Sequence, residues 1–177
     1  MIAGEKVRLR AIERDDLLLL HAFNNDLSVE LAGGGDAPMP QSLARLEAEF
    51  DQHASGGGRD GKSFAIEAHE TFIGICVLFN ENNLARTVEV GIGIGNKLYW
   101  GKGFGREALS LLVNYAFRYH NYHKVWLQVH SDNQRAIKAY THVGFVEEGW
   151  LRQHVYSNGR YVDLVYMGIL RSEWQTD

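Results

Sequence analysis

The stretch YWGKGFGREA, residues 99–108, carries the first chemistry that can be read from this chain. Gly101, Gly103 and Gly105 alternate with other residues beside Lys102, and the chain then turns at once into a helical pattern. The first N–H groups of a helix point out of its end, where the dipole also favours an anion. Glycines let that anion approach the backbone closely, so residues 101–106 read as a phosphate cradle. Spacing decides which phosphate. A triphosphate loop needs G-x-x-x-x-G-K-[ST]. With Gly101-Lys102 as its end, the first glycine falls on Asn96 and the Mg²⁺-binding hydroxyl on Gly103, so the pattern fails twice. Gly103, Gly105 and Ala108 satisfy the G-x-G-x-x-[GA] of a dinucleotide loop, but Asn96 to Trp100 intervene after the strand. The acidic residue expected about 20 residues on is also absent. Glycines before a helix can simply form a tight turn; three of them with a lysine exceed what a turn needs. A pyrophosphate bound without a metal hydroxyl fits best.

Two more constellations flank the loop. In Glu89-Val-Gly91-Ile-Gly93-Ile-Gly95 the odd positions share one face of a strand. Glycine weakens a strand interior unless a ligand or another backbone must come close. One face of this strand is therefore bare, with Glu89 on the same side. Either a thin ligand lies along it or a helix packs there. Downstream, Asn133, Ala136, Tyr140 and Gly144 fall along one helix face. An N-capped helix with a half-buried tyrosine would also give that pattern.

The elements that must position these groups follow from periodicity. KVRLRAI (6–12), KSFAIEA (62–68), TFIGICVLFN (71–80), TVEVGIGIG (87–95) and KVWLQVH (124–130) read as strands. Residues 13–25 and 41–53 read as helices, the second with Leu43, Leu46, Glu47 and Phe50 at helical spacing. A long helix follows the glycine run, with Leu109, Leu112, Val113 and Ala116 on one apolar face. NQRAIKAYTHVG is a short helix ending on Gly144. Residues 145–170 read as a hairpin around Ser157-Asn158-Gly159. The stretches 32–40 and 54–61 read as loops. The order β-α-α-β-β-β-α-β-α-β-β gives a mixed sheet with helices packed on it.

The 177 residues and 20.0 kDa suit one domain spanning 1–177. A net charge of −4 and a pI near 6.1 argue against nucleic acid as a partner. The lone cysteine, Cys76, lies in an apolar run and reads as buried and inert. One cysteine and scattered histidines (His120 and His123 have no carboxylate to complete a set) give no metal site. No apolar run is long enough for a membrane span and no signal core opens the chain, so the expectation is a soluble cytoplasmic protein.

The three constellations together resemble the GNAT family of acetyl-CoA-dependent N-acetyltransferases. The family's [QR]-x-x-G-x-[GA] reads Trp100-Gly101-Lys102-Gly103-Phe104-Gly105 here, with Trp100 departing from Gln/Arg. Its downstream N-x-x-A-x-x-x-Y-x-x-x-G-F is matched from Asn133 to Phe145. The opening VRLRAIERDD and the tail from Gly144 to Leu170 resemble the ribosomal-protein and spermidine N-acetyltransferase branches. The resemblance implies an α/β (α+β) GNAT fold: a mixed, mostly antiparallel sheet of about seven strands, splayed between strands 4 and 5 and flanked by about four helices. It also implies acetyl-CoA as co-substrate. Pantetheine would pair with the backbone of Ile92, Gly93 and Ile94, and the pyrophosphate would rest on the amides of 101–106, with Lys102 or Arg106 adding charge. Asn133 would touch the pantetheine arm and Ala136 would leave room for it.

Chemistry adds the remaining roles. An ammonium has no lone pair, so a base must take its proton, directly or through water. Glu89 is the candidate; an exposed structural glutamate and ordered water alone are the alternatives. A backbone N–H near Ile92 to Ile94 would stabilise the thioester oxygen. The resemblance makes Tyr140 the acid for the leaving thiolate. For the acceptor, Glu30, Asp36, Glu81 and Glu89 could form an acidic funnel. A peptide N-terminus or a polyamine is favoured slightly; aminoglycosides and amino sugars stay open, as does a non-catalytic CoA-binding module. Homodimers are frequent in the family.

Overall fold

The computed structural model describes residues 2–33, 38–55 and 62–174. Of the stretches expected as loops, 32–40 and 54–61, residues 34–37 with Asp36 and residues 56–61 lie outside these residues, while 32–33 and 54–55 belong to helices. Among the described residues eight strands form one sheet: β1 (Ile2–Ala3), β2 (Arg8–Arg10), β3 (Lys62–Ala68), β4 (Thr71–Asn82), β5 (Thr87–Ile94), β6 (Lys124–His130), β7 (Val146–Ser157) and β8 (Arg160–Leu170). Their order is β1-β2-β3-β4-β5-β6-β8-β7, and every pair is antiparallel except β5 with β6. The helices are α1 (Leu17–Asn24), α2 (Leu27–Gly33), α3 (Leu43–Ser55), α4 (Phe104–His120) and α5 (Gln134–Val143).

The strand β1 and the helix α2 exceed the expected seven strands and four helices. The first is two residues long and too short for any alternation to register. The second buries none of its side chains, so it has no apolar stripe to announce it. Its start is nonetheless built from local chemistry. Asp26 accepts the Ser28 N–H at 3.0 Å and the Ser28 hydroxyl at 2.7 Å, and pairs with Lys97 at 2.5 Å. The Lys97 bond, then Ser28, draw the Asp26 carboxyl down to about 2.

Two apolar layers sandwich the sheet. The expected face of α4 is fully buried: Leu109, Leu112, Val113 and Ala116 pack on Val88 and Val90 of β5 and Val125 and Leu127 of β6. The opposite face carries Leu17 and Leu20 of α1 and Leu46 of α3, packed on Ala65 and Phe72. Arg10 locks α1 to the sheet through a two-pronged bond to Asp16, at 2.7 and 2.9 Å, and a further pair with Glu67. Burial works against the Asp16 charge, but the Arg10 bonds and the Glu13 N–H outweigh it and hold the carboxyl below its ordinary value. Cys76 is buried, and burial pushes its thiol up to about 12, as expected of an inert side chain. No helix among the described residues is long and apolar enough to cross a membrane.

Candidate active site

A break in strand pairing makes the site. β5 and β6 pair only over Thr87–Glu89 and Lys124–Trp126. Past that point β5 continues beside β4 to Ile94, and β6 continues beside β8 to His130. The splay expected between the fourth and fifth expected strands is this gap. A cavity of about 540 Å³, lined by Ile92, Gly93 and Ile94 of β5 on one side and by α5, which follows β6, on the other, lies beside it, a volume ordinary for a small-molecule site.

The glycine loop forms one wall. Gly101 and Gly103 have φ of 70° and 88°, the left-handed region that glycine enters without strain. Gly103 caps α4, whose first backbone bond runs from the Glu107 N–H to the Gly103 carbonyl at 3.0 Å. The N–H groups of Gly103 to Arg106 therefore have no helical partner. Lys102 and Arg106 line the cavity from this side; Arg135, Lys138 and His142 line it from α5. Among the described residues Lys102, Arg106, Arg135 and Lys138 make no ion pair. In a chain of net charge −4, free donors and unpaired cations converging on one cavity fit a ligand with several phosphates.

Every cofactor-site residue singled out from the sequence lines this cavity except Phe104. The Phe104 ring instead packs edge-on against Tyr99 at 4.9 Å and against His69 at 6.0 Å. Asn133 lines the cavity, but its amide is committed at both ends. Its Oδ1 accepts the Ala136 N–H at 3.2 Å, and its Nδ2 donates to the Ala32 carbonyl at 2.9 Å, tying α2 to α5. The sequence reading missed Tyr99, Arg135, Lys138 and His142. The spacing 135, 138 and 142 was the available signal, since these positions follow one helix face.

The bare strand face is narrower than the glycine spacing implies. A side chain at Gly95 would overlap the Phe23 ring, 2.1 Å away, so here the glycine serves helix packing. A side chain at Gly91 would press on Val77 and Phe79 at 3.1 and 3.3 Å. Only Gly93 faces open space, and it lines the cavity.

Glu89 stands on this face, 5% exposed, and outside the cavity wall. It accepts from Asn80 Nδ2 at 2.7 Å and from Gln128 Nε2 at 3.1 Å. A register shift between Phe79 and Asn82 leaves Asn80 with φ of 48° and turns its amide toward Glu89. Two neutral donors leave the carboxylate further acceptor capacity. Glu81 is not its neighbour: it pairs with Lys62 at 2.7 Å and accepts from Tyr122 beyond the end of α4. It therefore leaves the expected funnel.

Tyr140 lines the cavity from α5, half-buried. Asn133 caps the start of its helix, and Gly144, at φ of 110°, ends it. The Phe145 N–H then bonds back to the Tyr140 carbonyl at 3.1 Å. Burial pushes the phenol up to about 12, against a small opposing pull from Arg135. It keeps its proton at any neutral pH. Trp100 closes the loop wall: its Nε1 donates to the Ile94 carbonyl at 2.6 Å, and the Arg135 guanidinium lies 4.1 Å over its ring. Among the described residues no group of three or more His, Cys, Asp or Glu is placed to hold a metal.

Comparison with known proteins agrees with this geometry. A family model described as an acetyltransferase (GNAT) domain matches residues 6–146. The chain is 34% identical to a spermidine N(1)-acetyltransferase of Vibrio cholerae over 172 residues, 97% of this chain and 96% of that one. It is 29% identical to a spermidine N(1)-acetyltransferase of Escherichia coli, over 98% of this chain and 91% of that one. The crystal structure of spermidine N-acetyltransferase from Vibrio cholerae in complex with CoA and spermine superposes with a TM-score of 0.85 at 33% identity, covering 96% of this chain and 98% of that one.

Proposed function

The chain belongs to the GNAT acetyltransferase family and is an acetyl-CoA-dependent N-acetyltransferase, and we propose that its acceptor is a primary amine of a polyamine. The observation that carries this is the end-to-end likeness to spermidine enzymes. The site itself supports it. Glu30, on α2 next to the cavity-lining Val29, has no cation partner among the described residues, and burial raises its carboxyl pKa. An extended polycation would supply the missing positive charge.

We read the chain as one catalytic domain. The amides of Gly103 to Arg106, with Lys102 and Arg106, hold the diphosphate. The backbone of Ile92, Gly93 and Ile94 receives the pantetheine arm, with Ala136 leaving room and Asn133 holding α2 over it. Acetyl-CoA supplies an acetyl group activated as a thioester. Glu89 lies three residues along β5 from Ile92, about 10 Å at ~3.3 Å per residue. It therefore takes the ammonium proton through water rather than directly. A backbone N–H of residues 92–94 faces the charge that develops on the carbonyl oxygen. Tyr140 donates toward the departing sulfur.

The test is thiol release from acetyl-CoA with spermidine, spermine, short peptides bearing free N-termini, and amino sugars. Release that depends on the two polyamines is expected. Release that depends on peptides alone would keep the transferase and overturn the acceptor.

A further inference from the structure

We propose that Arg135, held over Trp100, is the residue by which this site selects donors that carry a diphosphate. The inference rests on acetyl-CoA being the donor and adds the recognition element. Trp100 occupies the position where the family pattern has Gln or Arg, each with side-chain donors to offer an anion. An indole has a single donor, and Trp100 spends it on the Ile94 carbonyl at 2.6 Å. The loop wall has thus lost a side-chain donor. The opposite wall returns one. Arg135 comes from α5, which follows β6, and its guanidinium lies 4.1 Å from the centre of the Trp100 ring, well inside the range of a cation–π contact.

The pair bridges the gap that the splay of β5 and β6 opens. Trp100 is fixed to the end of β5, and Arg135 is attached to the β6 side. Both line the cavity. Among the described residues Arg135 makes no ion pair, so its donors remain available to phosphate oxygens. Lys102, Arg106 and Lys138 are cations of the same cavity, but none is recorded over an aromatic ring. Arg135 is the one that rests on an aromatic ring, a contact that favours its position before a ligand arrives, and prior ordering lowers the cost of binding. Trp100 is in this sense a positioning residue: it acts on the diphosphate through Arg135.

Equilibrium binding of CoA by calorimetry reads the proposal, alongside kinetics with acetyl-CoA and with acetyl-pantetheine, which lacks every phosphate. Arg135→Ala should raise the Kd for CoA about ten- to a hundred-fold, the scale of a lost charge-assisted contact. It should raise the KM for acetyl-CoA alike and leave kcat alone. Its kcat/KM for acetyl-pantetheine should stay within about twofold of the native value, on the same argument. Trp100→Phe keeps a ring under the guanidinium and should lose far less than Trp100→Ala. Trp100→Ala should cost less CoA affinity in the Arg135→Ala background than in the native chain, because part of its effect runs through Arg135. A native Kd for Arg135→Ala, or an equal loss with both donors, overturns the proposal. If the native chain transfers acetyl from neither donor to any amine, the transferase reading fails, while the CoA titrations still decide the role of Arg135.

Discussion

Replacing Tyr140 with phenylalanine tests both its role and its environment. The phenol is pushed up to about 12 by burial, with Arg135 opposing. A cysteine thiol titrates at about 8.5, and the alkyl thiol of coenzyme A, though less acidic than that, is still more acidic than this phenol. Full proton transfer from Tyr140 to a free thiolate would thus run uphill. The phenol works chiefly by donating a hydrogen bond to sulfur as charge develops there. Such bonds to charged groups are worth about 1.5–3 kcal/mol, which is about ten- to a hundred-and-fifty-fold in rate. Tyr140→Phe should therefore lower kcat by roughly that factor, short of the largest effects known for general acids, with the Kd for CoA unchanged. The raised pKa gives a second readout. Since the phenol keeps its proton up to about 12, the native rate should show no alkaline fall from Tyr140 through pH 10. Initial rates by thiol release from pH 6 to 10, for both forms, supply the data. A kcat within about twofold of native would remove Tyr140 from the chemistry. A native alkaline limb near pH 10 that vanishes in Tyr140→Phe would refute the buried-phenol argument even if kcat falls.

Glu89→Gln sets an amide against the two amide donors of Asn80 and Gln128. One donor must lose its acceptor or flip, which costs about 1–3 kcal/mol of stability, seen as a lower urea midpoint. If Glu89 is also the base, kcat falls while the Kd for CoA holds; an unaltered kcat assigns the proton to water alone. Gly103→Ala puts a β-carbon on a residue at φ of 88°, costing about 1–2 kcal/mol. It should lower the melting temperature and also raise the Kd for CoA, and unchanged CoA affinity would argue against the amide cradle. Asp16 is held below its ordinary value in the fold, so its contribution is present above the unfolded value of about 3.9 and is lost as pH falls through the folded one. The urea midpoint should drop below about pH 4, and the Asp16 share of that drop should vanish in Arg10→Met.

What the sequence disclosed is what local backbone chemistry controls. Gly101 and Gly103 need left-handed φ, and a helix follows within one residue; that was readable because nothing distant takes part. The α4 face was readable for the same reason, since a 3.6-residue period is a property of the segment itself. The glycines of β5 show where this stops. Gly91, Gly93 and Gly95 are identical in sequence and equally spaced, yet one lies against β4 side chains, one opens to the cavity and one lies under Phe23. Val77 and Phe79 of β4 mark out the first, and Phe23 of α1, some seventy residues earlier, marks out the last. Glu81 and Glu89 differ in the same way: both are acids near a β-hairpin, and only the partners Lys62 and Tyr122 draw the first away. Arg135 extends the point to function. Alone it reads as a solvated helix residue. It becomes a candidate recognition group because Trp100, across the gap between β5 and β6, gives it a surface to rest on. Trp100, which departs from the Gln or Arg of the phosphate motif, is on this proposal the feature that gives a residue on another element its task.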